Sequence, residues 1–285
     1  MFDAGLGESS IGWTLVQPLV AKFARTCVYD RAGFAWSERG PLPRTAGRAA
    51  DELRVALDRA GERPPFLLVG HSFGGMIARI FANRYRCDTA GLVLVDPAAP
   101  EEWAAPTPAA QALIERGVRL CRIGVLLSWL GVARLITTLL VAGAVKPARW
   151  LADAFTRGGI GSDAEWMLAT LSKLPPEARR VLPLVWREAK YFEALGSQIR
   201  HVSASARETF QADADGYQDL PLVTLSSSNP TPDRVREQEA LARLSTRGRH
   251  LVAAGSGHWI LLDEPAWVAS VIRQVHQSAV TTHPE

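Results

Sequence analysis

A glycine-flanked serine, Gly70-His71-Ser72-Phe73-Gly74 followed by Gly75, stands between an apolar run and a helical pattern. Few folds accommodate that arrangement. Upstream, Pro65-Phe66-Leu67-Leu68-Val69 is short, apolar and fits a strand covered on both faces. Downstream, Met76, Ile77, Ile80, Phe81 and Tyr85 recur at helical spacing. Ser72 therefore falls on the tight turn where strand becomes helix, the G-x-S-x-G pattern of a nucleophile elbow. There its hydroxyl projects from the sheet edge, and the next backbone N–H groups point at whatever the oxygen attacks. A Cβ on the flanking glycines would clash in so sharp a turn.

Strand and helix signals alternate as far as Asp96, as a mostly parallel sheet with helices on both faces requires. A helix is expected from Ala46 to about Ala60, ended by Gly61, and a second buried strand over Ala90-Gly91-Leu92-Val93-Leu94-Val95, terminated by Asp96-Pro97. From Pro97 to Asp219 the pattern is helical only, punctuated by Pro106-Thr107-Pro108, Lys146-Pro147, Gly158-Gly159 and Pro175-Pro176. The expected fold class is α/β, with residues 1–98 and 219–285 as the core and 99–218 as an inserted helical cap. Within the cap, Ile123 to Val145 is nearly continuous apolar sequence with Arg134 in its middle. An arginine at mid-bilayer depth costs about 2.5–3.5 kcal/mol, and Gly131, Gly143, Arg122 and Lys146 permit two shorter helices instead. Cap helices over an apolar pocket are the preferred reading and peripheral membrane contact the less favoured one. Both imply a lipophilic small-molecule substrate. Trp36, Trp129, Trp166 and Trp186 could line such a pocket, although aromatics of this kind are more often ordinary core.

A nucleophilic serine needs a base. Arg249 to Ala254 reads as a short strand running into Gly255-Ser256-Gly257-His258-Trp259, and a helix follows from Ala266 to about Gln277. His258, on a glycine-rich loop between strand and helix, can take the serine's proton and return it to the leaving group. His71 sits in the elbow and is expected to point elsewhere; His201, His250, His276 and His283 compete less well. For the acid, Asp96 ends the strand after the nucleophile helix, at the sheet edge where ligands collect in open α/β folds. The alternative, Asp233, follows the expected strand Leu222-Val223-Thr224-Leu225 but already reads as a first-turn helix acid. The oxyanion donors expected are the backbone N–H of Phe73 and, from the glycine-rich stretch Asp3-Ala4-Gly5-Leu6-Gly7-Glu8-Ser9-Ser10, that of Leu6.

Together these residues resemble a serine hydrolase of the α/β-hydrolase fold. The resemblance rests on Gly5-Leu6-Gly7, Tyr29-Asp30-Arg31-Ala32-Gly33, Gly70 to Gly75, Leu92-Val93-Leu94-Val95-Asp96-Pro97 and Gly255-Ser256-Gly257-His258, in the chain order Ser, Asp, His. The Leu-Val-Asp-Pro context is similar to lipases whose acid follows the strand after the nucleophile. The resemblance implies carboxylic-ester hydrolysis through an acyl-enzyme on Ser72, with no cofactor and no metal, and with Asp30 and Arg31 as structural partners. Thioester, amide and carbon–carbon hydrolysis share the same triad, and a non-catalytic ligand-binding member of the fold is a further alternative. Family members normally begin with two antiparallel strands ahead of a central one. Here only Met1-Phe2-Asp3 precede the glycine-rich loop, so either the true start lies upstream or part of the sheet has been lost.

At 285 residues the chain can bury one α/β core with a cap. Its charge of +3 comes from 32 basic and 29 acidic residues with no basic block, which argues against a nucleic-acid partner. Cys27, Cys87 and Cys121 lack metal-ligand spacing; Cys27, in the probable strand Thr26 to Tyr29, reads as a small core residue. Nothing implies disulfides and no signal peptide is visible, so a cytoplasmic location is expected.

Overall fold

Five parallel strands, β1 (Phe2–Asp3), β2 (Phe66–His71), β3 (Thr89–Val95), β4 (Leu222–Ser226) and β5 (Gly248–Val252), lie in the order β1-β2-β3-β4-β5. The computed structural model that gives this arrangement describes residues 1–156 and 172–280. Gly158-Gly159, Trp166 and His283 fall outside the described residues. Strand ends are in step: Asp3 is opposite Gly70, His71 opposite Val95, and Val95 opposite Leu225. The loops after all five strands therefore leave the same edge. Beyond β1 the expected strand at Thr26–Tyr29 is reduced to a single parallel bridge between Val28 and Phe2, and Cys27 is half-buried rather than core.

The chain forms two compact units. The larger comprises residues 1–29, 45–105 and 202–285. It holds the sheet with α1 (Gln17–Val20), α2 (Ala46–Arg59), α3 (Phe73–Arg84), α4 (Pro100–Ala104), α10 (Val202–Asp213), α11 (Pro232–Ala242), α12 (Ile260–Asp263) and α13 (Pro265–Val280). Alternation along β3 sorts the layers. Leu92 and Leu94 join one apolar cluster with Phe81 of α3, Leu53 of α2 and Ala206 of α10. A Cβ on Gly91, one residue out of phase, would instead lie 3.0 Å from Val275 of α13. The sheet is covered on both faces, so its strands need no polar side.

The smaller unit comprises residues 30–44 and 106–201, with α5 (Pro108–Trp129), α6 (Val132–Val141), α7 (Val145–Thr156), α8 (Pro176–Val185) and α9 (Ala189–Arg200). The expected break in the long apolar stretch falls at Gly131, left-handed at φ 76° and the N-cap of α6, and α6 runs at 90° to α5. No single described helix is long and apolar enough to cross a membrane.

These boundaries correct the expected 99–218 cap at both ends. Residues 202–218 belong to the larger unit, because α10 presents Ser205, Ala206, Thr209 and Ala212 to its neighbours and all four are buried. Ser205 Oγ also accepts from the Ala46 N–H and Glu208 from the Gly47 N–H, holding the start of α2. Conversely, Asp30–Arg44 belongs to the smaller unit: Arg39 pairs with Glu193, Lys190 donates to the Ser37 carbonyl, and Ser197 Oγ accepts from the Arg44 N–H. Each tie links residues more than 150 positions apart or joins side chains to backbone, and periodicity registers neither.

Within the larger unit, Arg79 of α3 is buried against Asp213 of α10, whose carboxylate also accepts from the Tyr217 hydroxyl at 2.6 Å. Burial alone would lower the pKa of the arginine, but the adjoining carboxylate outweighs it and raises the Arg79 pKa. Replacing Asp213 by Asn leaves a buried cation without its counter-charge. The expected cost is about 3–5 kcal/mol in urea unfolding at neutral pH.

Candidate active site

Ser72 occupies the one-residue turn between β2 and α3 with φ 50° and ψ −116°, a backbone conformation that L-residues rarely adopt. Three hydrogen bonds hold it there. Its N–H donates to the Val95 carbonyl at 3.1 Å, and its own carbonyl accepts from Gly75 at 2.9 Å and Ala98 at 3.1 Å. The glycines are required by backbone rather than by side chains: a Cβ on Gly70 would lie 2.4 Å from the Gly74 carbonyl oxygen, and one on Gly74 would lie 2.5 Å from that of Asp3. The second contact shows that the strand running into the Gly5-Leu6-Gly7 loop lies directly against the first turn of α3. Leu6 and Gly7 form the turn that follows, closed by the Glu8 N–H on the Gly5 carbonyl.

Asp96 ends β3 with φ 39°, buried, its N–H bonded to Leu225 of the next strand. His258, in the loop after β5, places Nδ1 2.7 Å from Asp96 Oδ2. Burial pushes the Asp96 carboxyl up, but the hydrogen bond and charge of His258, helped by Arg234 and His71, outweigh it and hold the acid below its usual pKa. An ionised carboxylate at Nδ1 fixes the proton there and leaves Nε2 of His258 as the lone-pair nitrogen. Asp233 is elsewhere: it lies in the first turn of α11, 78% exposed, paired with Arg236. The same turn contributes a different residue, Arg234, which reaches Asp96 Oδ1 at 3.5 Å and donates to the Pro97 carbonyl.

His71 does not point idly away. Its ring is fully buried, with Nδ1 3.0 Å from Glu8 Oε2 and Nε2 3.0 Å from the main-chain carbonyl of His258. A carbonyl cannot donate, so Nε2 carries a proton; the ionised Glu8 requires a second on Nδ1. His71 is therefore an imidazolium. Burial opposes that charge, but Glu8 and the His258 carbonyl outweigh it and raise the His71 pKa. Burial likewise opposes the Glu8 charge, yet the His71 cation and the bonds from Trp259 Nε1 and Gly5 N–H bring its pKa down to about 2. One buried ion pair thus ties the residue before Ser72, the loop holding Leu6, and the residues His258 and Trp259 together. Sequence reasoning missed Glu8, His71, Arg234 and Trp259. Only the charge of Glu8 among small residues of the loop hinted at it.

Trp36, Trp129 and Trp186, the three of this set among the described residues, diverge. Trp186 lines a cavity of about 350 Å³ within the smaller unit, walled by apolar side chains such as Ile123, Leu127, Ile136 and Leu140. Trp36 and Trp129 are exposed instead. Among the described residues, no group of three or more His, Cys, Asp or Glu is arranged to hold a metal ion.

A strained serine between strand and helix, with an Asp–His pair on loops that leave the same edge of one parallel sheet, defines the α/β-hydrolase class. Residues 2–271 match the alpha/beta hydrolase family, and the chain belongs to it. Among relatives, it is 37% identical over 98 residues to an uncharacterized protein of Bacillus subtilis, covering 34% of this chain and 39% of that one. It is 36% identical over 85 residues to an AB hydrolase superfamily protein of Gibberella zeae, covering 30% and 26%. These matches span well under half of each relative's length. A longer match, 22% identical over 97% of this chain and 77% of its counterpart, is to a bovine protein named (lyso)-N-acylphosphatidylethanolamine lipase. The fold is shared with a thermophilic esterase from Thermogutta terrifontis (TM-score 0.67, 22% identity, 98% and 89% of the chains). A putative epoxide hydrolase from Pseudomonas aeruginosa shares it too (TM-score 0.71, 17% identity, 98% and 88%).

The buried pair makes stability depend on pH in a definite direction. The Glu8 contribution is complete above its unfolded value of 4.5 and is lost as pH falls toward about 2. The His71 contribution is complete below its unfolded value of 6.5 and is lost as pH rises through its raised folded value. Melting temperature should therefore be highest between these two unfolded values and decline on the alkaline side. In Glu8→Gln that alkaline decline should be absent, and scanning calorimetry across pH checks it.

Proposed function

We propose that this chain is a serine-dependent hydrolase of carboxylic esters whose acyl or alcohol part is apolar. The observation that carries the reading is the 2.7 Å contact of His258 Nδ1 with Asp96, beside a serine held in a strained elbow. In this mechanism Nε2 of His258 takes the Ser72 Oγ proton as the oxygen attacks the ester carbonyl. The backbone N–H groups of Phe73 and Leu6 receive the oxyanion, a donor pair in which each member is typically worth about 2.7–4 kcal/mol of barrier. The imidazolium then protonates the departing alcohol, and water, deprotonated by the same nitrogen, releases the acid from Ser72. Asp96 holds the ring in the required tautomer, and the hydrogen bond and charge of His258, helped by Arg234, keep Asp96 ionised. The buried His71 cation fixes the main chain of His258 without touching the substrate.

A hydroxyl at the elbow suits acyl transfer, and the apolar cavity among the cap helices suits a hydrocarbon substituent. The lipase name of the bovine relative agrees with an ester substrate. Purified protein treated with a fluorophosphonate should be labelled at Ser72, and labelling should vanish in Ser72→Ala and His258→Ala. Asp96→Asn should lower ester turnover by about 10⁴-fold, as in other Ser-His-Asp triads, while Asp233→Asn leaves it unchanged. Folded protein that never labels would instead make the chain a ligand-binding member of its family.

A further inference from the structure

Three helices of the smaller unit turn large apolar side chains toward solvent. At the C-terminal end of α5, Leu126, Trp129 and Leu130 are exposed, Trp129 by 73% and Leu130 by 65%. Leu135 and Val141 of α6 and Trp150 of α7 are exposed as well, Trp150 by 71%. Scattered exposed leucines are ordinary, but a group that includes two tryptophans on adjoining helices is not. The helices pack on one another through other residues: Leu127, Ala133, Thr137 and Ala148 are buried. The outward set is therefore surplus to the unit's own core.

The segment that carries these side chains is also cationic. Between Pro108 and Thr156 there are six Lys and Arg against two Asp and Glu, a surplus larger than the whole chain's +3. Arg119, Arg122, Arg134 and Lys146 are exposed and have no ion-pair partner among the described residues. Their placement is ordered. On α5, Arg119, Arg122, Leu126 and Trp129 follow at spacings of three, four and three, which puts them on one stripe with the charges set back from the apolar tip. Arg122 lies seven residues before Trp129, about 10 Å along the axis. An interfacial helix buries its apolar side by about 5–10 Å, so this offset matches the step from acyl boundary to phosphate. Indole at the boundary and arginine at the phosphate are the preferred positions of both side chains. Because α6 leaves at 90°, a steeply entering α5 lays α6 along the surface with Arg134 and Leu135 adjacent.

We infer that this face docks on an anionic phospholipid surface, with the α5–α6 corner inserted and Arg122, Arg134 and Lys146 on lipid phosphates. The docking stands apart from catalysis, because every group it uses lies in the smaller unit and the proposed triad in the larger. The test is co-sedimentation of the full-length Ser72→Ala protein with vesicles of phosphatidylcholine, alone or mixed with phosphatidylglycerol. Binding is expected to the mixed vesicles, and weakened by salt. The double variant Trp129→Ala/Leu130→Ala should bind at least tenfold more weakly, since each buried side chain of that size contributes roughly 1.5–3 kcal/mol. Arg122→Gln/Arg134→Gln should lose about fivefold per cation removed. Thermal melting of these variants should match the parent because the altered side chains are exposed. Absence of binding to both vesicle types, or equal binding by the Trp129 variant, would overturn the inference. So would light scattering that finds a dimer which Trp129→Ala dissolves, since a second copy would then be the occupant.

Discussion

Everything at the site hangs from the backbone of Ser72. A side chain at φ 50° persists only where its surroundings leave it no other choice. The hydrogen bond that Ser72 donates to Val95 and those it accepts from Gly75 and Ala98 supply that constraint. They are possible because β2, α3 and the segment after β3 approach within distances that exclude a Cβ at Gly70 and Gly75. The same approach presses the Asp3 main chain onto α3 and so brings the Leu6 loop to the elbow. One conformational strain thus positions the hydroxyl, the N–H of Phe73 and the neighbouring loop at once.

Charge performs a second organising task. Two carboxylates, Asp96 and Glu8, sit in desolvated positions, and each remains ionised because a histidine answers it. The roles differ. His258 is partly exposed and its Nε2 can take up and return a proton, whereas His71 is enclosed with both nitrogens committed. The site therefore sets a proton-carrying histidine, His258, beside a fixed cation, His71, linked through the His258 carbonyl oxygen. Arg234 completes the frame from α11.

How much of this was legible in sequence depends on the range of the interaction. The parallel sheet, the elbow, the helix after it and the break at Gly131 follow from local apolar period and glycine placement, and the strands lie within a residue or two of where the pattern puts them. The meeting of Asp96 and His258 was legible because each lies beyond the end of a strand at the same sheet edge. The Asp30–Arg44 segment and α10 were assigned to the wrong units because their ties are contacts such as Arg39–Glu193 and Arg79–Asp213. The function of His71 was hidden for the same reason: its partners, Glu8 and His258, are 63 and 187 residues away. The outward position of Trp129 was not legible, because helical spacing fixes which residues share a face but not what that face meets.

The Glu8 carboxylate has a consequence for how the two halves of the site are coupled. It accepts from the Gly5 N–H and from Trp259 Nε1, while its partner His71 holds the His258 carbonyl. The loop that carries Leu6 and the loop that carries His258 are thus clasped by one side chain. Charge stabilisation and proton transfer turn on a single pin, and whatever discharges that carboxylate loosens both.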